Sequence, residues 1–262
     1  MRAGLLLYEF RTQPWPALFA LSGLGLCMSA WVATSATVPG FCGIQITSIS
    51  GSLPAFELFE VVLAINPPST FIYGWSLMLL AMMPPLLAFP LAYIAGSTFR
   101  HRRILASICF LSGYGLLWFV FGIPLTAAAI LLWVYFQDGA TYFVLAALCA
   151  LIWSGSPLQQ MAVNRGHRVE RIGAFGWRGH FDAFRFGVVH AKWCIASCWL
   201  WMLLPMLSNA SWHVPMMAVS GVAMLAERIA LLGPPRWKTP PLLTLLGAIL
   251  LSLLPQQRAT HA

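Results

Sequence analysis

Seven long apolar segments, separated by connections rich in Lys and Arg, constrain this 262-residue chain more than any motif does. They run approximately Ala17–Ala36, Phe71–Gly96, Ile104–Phe136, Thr141–Ser156, Gly187–Leu207, Val214–Leu232 and Pro241–Leu254. A straight membrane span needs about 20 apolar residues, so the fourth and seventh segments are short spans or re-entrant ones. Only 8% of the residues are charged and 60% are hydrophobic, against about a quarter charged in soluble domains. The expected fold is therefore all-α: a single polytopic helical bundle of about seven membrane helices over residues 1–262, not a soluble domain with an anchor.

The net charge of +8 reports orientation rather than a nucleic-acid partner, because the cations cluster between the apolar segments. With seven spans and the N-terminus in the cytoplasm, 14 of the 15 Lys and Arg residues fall on the inner side and only Arg258 falls outside. Losing one span would invert everything after it. The expected location is the bacterial inner membrane. The short, charged N-terminus does not resemble a cleavable signal, so the first span reads as an anchor. Six cysteines are scattered, and only Cys42 falls in an external loop, so no disulfide framework is indicated.

Two connections are large. The external stretch 37–70 contains a candidate interfacial helix at 53–64, either lying on the bilayer or docking a partner subunit. The stretch 157–186 is read as a cytoplasmic loop whose Arg and aromatic residues suit anionic headgroups better than bases. No internal repeat, glycine-rich phosphate loop or Ser/His/Asp arrangement is recognisable, so nothing in the sequence points to an enzyme. His190 and His213 are expected near opposite membrane faces, which rules out their clamping one haem.

The residues with the most chemistry form one stripe: His190, Cys194, Cys198 and Met202, each four positions after the last. That spacing places them along one helix face, and imidazole, thiols and thioether are ligands for a soft metal. Each step rises about 6 Å, so one ion can take only an adjacent pair and needs further ligands from other helices. Counting from the outer surface, Cys198, Met82, Met78 and Met224 fall at depths of roughly 13, 16, 10 and 13 Å. These four would make a soft site suited to copper(I), whereas zinc would want more Cys, His or carboxylate. His190 and Cys194 with Glu227 would make a second, harder site nearer the cytoplasm. The alternative for the methionines is gap-filling and for the cysteines simple apolar packing. Glu227, inside a helix, calls for a partner, for which Arg228 and Arg185 are the nearest candidates.

The segment Trp75–Pro84, WSLMLLAMMP, and the segment Gly187–Met202, GVVHAKWCIASCWLWM, resemble a bacterial family of uncharacterised integral membrane proteins labelled as predicted metal-binding. The corresponding family patterns are W-x-x-M-x-x-A-M-M-x-P and G-x-x-H-G-x-x-C-x-G-C-C-W-x-x-M. Gly113-Tyr114 with Trp118, and Leu225 with Glu227, also sit where similar features are expected. The resemblance covers roughly residues 71–228 and implies a membrane helical fold and metal binding. Departures are Ser197 in place of the middle cysteine, Ala191 and Ala196 at small positions, and Ala162 and Gly166 near two further family cysteines.

Two functions of different class follow. One is a metal-handling membrane protein that holds or delivers a soft cation, copper above all, within the bundle. The other is a non-catalytic accessory subunit of a larger membrane complex that has lost its metal. The first expects Cys194 and Cys198 to point into the bundle opposite methionines; the second expects a tightly packed bundle and a partner surface.

Overall fold

The computed structural model describes residues 14–34, 68–135, 139–173, 176–208, 210–230 and 232–253, with Glu57, Glu60 and Ala64. The expected interfacial helix at 53–64 thus lies outside the described residues apart from those three, which are helical and exposed. Cys42 and Arg258 lie outside them as well. Among the described residues every regular element is helical.

The elements are α1 (Trp15–Thr34), α2 (Pro68–Met82), a 3₁₀ turn (Pro84–Leu87), α3 (Ala88–Ser97), α4 (Arg103–Tyr135), α5 (Gly139–Gly155), α6 (Pro157–Gly166), α7 (Gly176–Leu207), α8 (Ala210–Ile229) and α9 (Pro241–Leu253). Three helices, α1, α4 and α7, are long and apolar enough to cross a membrane, and five spans result if each of two bent pairs counts as one. The count of seven spans is therefore not reproduced by length and composition. Helix α8 does not pass because His213, Glu227 and Arg228 dilute its apolar content, and α9 is short.

Both bends have local causes. The first joins α2 to the 3₁₀ turn and α3 at 59°, where Pro84 and Pro85 cannot donate to the preceding turn and crowd it. Met83 closes α2 by donating its N–H to the Leu79 carbonyl at 2.9 Å. The second joins α5 to α6 at 65°. There Ser156 is extended, as the residue before a proline prefers, and its hydroxyl caps α6 by accepting from the Gln159 N–H at 3.2 Å.

Helix α7 is the axis of the molecule. It packs against α4 most extensively, and against α8, α6 and α5 as well. It starts at Gly176, so the stretch 157–186, read as a cytoplasmic loop, is largely helical among its described residues: α6, the irregular residues 168–173 and the first turns of α7. Helix α4 has 33 residues, about 50 Å at the usual rise, and presents Ile104, Ile108, Leu116, Val120 and Ile123 outward. An apolar outer face of that length suits lipid rather than water. Its inner face, Phe110, Tyr114 and Trp118, joins the core with Trp75, Phe186 and Trp201.

The α4–α7 crossing depends on two glycines. A Cβ on Gly187 would stand 2.9 Å from the Tyr114 nitrogen and 3.0 Å from the Phe110 carbonyl carbon. One on Gly113 would stand 3.1 Å from the Phe184 carbonyl carbon. The two backbones therefore touch, as small residues allow in apolar bundles.

Candidate metal centre

That close crossing brings Tyr114 of α4 against the cysteine face of α7. The thiols of Cys194 and Cys198 are 3.8 Å apart, and both side chains are buried. Cys198 Sγ donates to the Cys194 carbonyl at 2.7 Å. Tyr114 Oη lies 3.3 Å from Cys194 Sγ and donates to Met83 Sδ at 3.2 Å. Since a thioether can only accept, the tyrosine proton goes to Met83 and the Cys194 thiol donates to the phenol oxygen. A directed chain results, from Cys194 through Tyr114 to Met83, linking α7, α4 and the end of α2.

All eight residues singled out from the sequence are buried: His190, Cys194, Cys198, Met202, Met78, Met82, Met224 and Glu227. The two cysteines face inward, and Met78, Met82, Met202 and Met224 belong to the same core cluster. Their donor atoms do not all converge. His190 Nε2 accepts from Arg228 Nη2 at 2.7 Å, and the ring is walled by Phe110, Tyr114 and Phe186 at centroid distances of 5.9, 6.1 and 5.9 Å. Glu227 Oε1 accepts from Ser154 Oγ and, at 2.9 Å, from Trp201 Nε1. Among the described residues no group of three or more His, Cys, Asp or Glu side chains is placed to hold a metal, so His190, Cys194 and Glu227 are not assembled as one hard site.

The expected pairing of Glu227 with an arginine is not found among the described residues. Neighbours on a helix point about 100° apart, and Arg228 turns instead to the Gly166 carbonyl at 3.0 Å and to His190. Arg185 meets Glu170 at 3.5 Å. Lys192 is exposed, over the Trp193 ring at 5.2 Å, as its angular distance from Cys194 requires. Ser197 Oγ donates to the Cys194 carbonyl at 2.8 Å, so its hydroxyl is engaged within its own helix. His213 is bound through Nδ1 to the Pro205 carbonyl at 2.9 Å, away from His190.

Two site residues were not among those singled out. Met83 lies at the bend, where helical spacing from Met78 fails to forecast its direction. Both Met83, within WSLMLLAMMP, and Tyr114 were visible only through the resemblance. On the rim, His167 touches the Val163 and Arg228 carbonyls through its two ring nitrogens, at 2.8 and 3.1 Å. Burial pushes its pKa below the ordinary imidazole range. Lys238 donates to Gln160 Oε1, and burial pushes its pKa down too, opposed by the charge of Glu227.

Two thiols and a thioether are the donors a soft metal ion prefers. Two sulfurs sharing one ion at ~2.3 Å stand roughly 3.8 to 4.0 Å apart in tetrahedral or trigonal geometry, and the thiols already have that spacing. No curated protein and no solved structure matches the chain significantly. Residues 72–251, more than half of the chain, match the family model described as PpoB2: Copper chaperone. They contain every side chain of the cluster just described, and the chain belongs to the PpoB2 copper chaperone family.

Proposed function

We propose that this protein is an integral membrane copper carrier that takes Cu(I) as cargo at Cys194 and Cys198, with the Met83 thioether as third sulfur. The observation that carries this is the 3.8 Å thiol pair, buried on the axial helix and linked through Tyr114 to a thioether. Two thiolates and a thioether suit Cu(I), whereas zinc sites take four Cys or His ligands or a carboxylate. Tyr114 holds Met83 and Cys194 on either side of its hydroxyl until the ion enters. Met78, Met82 and Met224, buried in the same cluster, offer soft atoms along the interior by which the ion is passed. The Lys and Arg residues clustered between the apolar segments support, on the seven-span count, a bundle in the bacterial inner membrane with its N-terminus in the cytoplasm.

The test is elemental analysis of the full chain in mild detergent after anaerobic Cu(I) loading, wild type beside a Cys194→Ala/Cys198→Ala double variant. One copper per chain is expected for wild type and none at this site for the variant. X-ray absorption should show a sulfur shell that loses one scatterer in Met83→Leu. No copper in loaded wild type, or full copper in the double variant, would overturn the proposal. A Tyr114→Phe variant should still bind, with affinity lowered by about fivefold, because the hydroxyl orders two donors and ligates nothing (one neutral hydrogen bond, on the order of 1 kcal/mol).

A further inference from the structure

Arg228 is buried, 5% exposed, at the inner end of α8. Its guanidinium donates from Nη2 to the Gly166 carbonyl at 3.0 Å and to His190 Nε2 at 2.7 Å, and Nε has no acceptor. Both partners are neutral acceptors if His190 uses its lone pair. Glu227, beside it in sequence, points to Ser154 and Trp201. Among the described residues the one ion pair is Arg185–Glu170, so no carboxylate answers Arg228. A buried cation without an anion is costly, and folds keep one where an anion arrives or function demands it. Gly166 leaves room for this placement: a Cβ there would stand 2.5 Å from Arg228 Nη1 and would require the guanidinium to shift.

The groups near enough to supply negative charge are the two thiols. Cys194 lies one turn beyond His190 on the same face of α7, about 6 Å along the axis. Tyr114, whose ring centroid lies 6.1 Å from that of His190, meets Cys194 Sγ at 3.3 Å and so spans from the arginine's partner to the thiols. Resting on the copper reading above, we infer that Arg228 is the built-in counter-charge of a monovalent ion held by two thiolates, and so selects monovalent over divalent soft cations. On loading, each S–H bond gives its proton to water and an S–metal bond replaces it, with no change in the metal's oxidation state. Two thiolates and one monovalent ion leave a net charge of −1, which the guanidinium neutralises. A divalent ion in the same pair gives a neutral complex and leaves the arginine uncompensated. In a core walled by Phe110, Tyr114 and Phe186 that difference is little screened. His190 is then a positioning residue: its lone pair holds the guanidinium one turn from the sulfurs.

Ag(I) and Cd(II) test this, being comparably soft, redox-inert and different in charge. Competition titrations on the full chain in detergent would compare wild type, Arg228→Gln and Arg228→Lys. Wild type should prefer Ag(I) over Cd(II) at the cysteine pair. Arg228→Gln should lower the Ag(I)-to-Cd(II) affinity ratio by at least about tenfold, and Arg228→Lys should restore most of it. Equal ratios in wild type and a folded Arg228→Gln protein would overturn the inference. If Arg228→Gln does not fold, wild type alone decides, because Cd(II) binding at the pair as tight as Ag(I) would overturn it. A Cys194→Ala/Cys198→Ala protein that keeps its Ag(I) would instead remove the copper reading itself.

Discussion

Gly187→Leu is expected to abolish the native α4–α7 contact and with it metal binding. The atoms that a side chain at 187 would meet belong to the Phe110 and Tyr114 backbone, at 3.0 and 2.9 Å from the first added carbon. Backbone cannot rotate away as a side-chain tip does, so the helices must part. Parting them removes Gly113 from the Phe184 carbonyl and lifts Tyr114 off Cys194. Overpacking alone costs about 1–3 kcal/mol, and loss of the contact between the two longest helices takes this to the upper end or beyond. Gly115 is the control: it lies two residues from Gly113, and a Cβ there meets nothing within 4 Å. Gly115→Ala should raise stability by up to ~1 kcal/mol through helix propensity. Thermal unfolding in detergent, followed by tryptophan fluorescence, separates the two. Equal midpoints for Gly187→Leu and wild type would refute the close crossing.

The second large effect is expected at Glu227. One carboxylate oxygen accepts from Ser154 of α5 and from Trp201 of α7, so a single atom joins α5, α7 and α8. Glu227→Ala leaves two buried donors without a partner, each costing roughly 1–3 kcal/mol, for a combined loss of roughly 3 kcal/mol or more. Glu227→Gln keeps an amide oxygen in that place and should lose less than half as much. Denaturant titration gives the stabilities, and the Trp201 contribution to the emission spectrum should shift to the red in the alanine variant only. Equal losses in the two variants would mean that the carboxylate acts through its charge and not as a shared acceptor.

Helical content and apolar segmentation were legible along the chain because a backbone in an apolar setting must satisfy its own hydrogen bonds, and helices do so locally. The number of spans was harder. The segment 214–232 looks long enough by eye, but α8 carries His213, Glu227 and Arg228 inside the bundle, where burial relieves it of any need to be uniformly apolar. The segment 141–156 looked too short, and the structure continues it, bent, into the polar and buried α6.

The site divides in the same way. Four-residue spacing places His190, Cys194, Cys198 and Met202 on one face, and that face is buried. The sequence could pair Cys194 with Cys198 because a helix repeats regularly from one turn to the next. It could not supply Met83, whose direction follows a 59° bend made by two prolines. Nor could it bring in Tyr114, which reaches Cys194 only because Gly113 and Gly187 let two backbones touch.

By itself, then, the sequence determined what is local and periodic: the helices, their apolar surfaces, the basic connections and the soft-ligand stripe. Only the tertiary structure decided which side chains meet across helices. It turned Glu227 to Ser154 and Trp201, and sent Arg228 to His190, with no carboxylate partner among the described residues. Those outcomes depend on bends and crossing distances, which are properties of packed surfaces and not of any one segment.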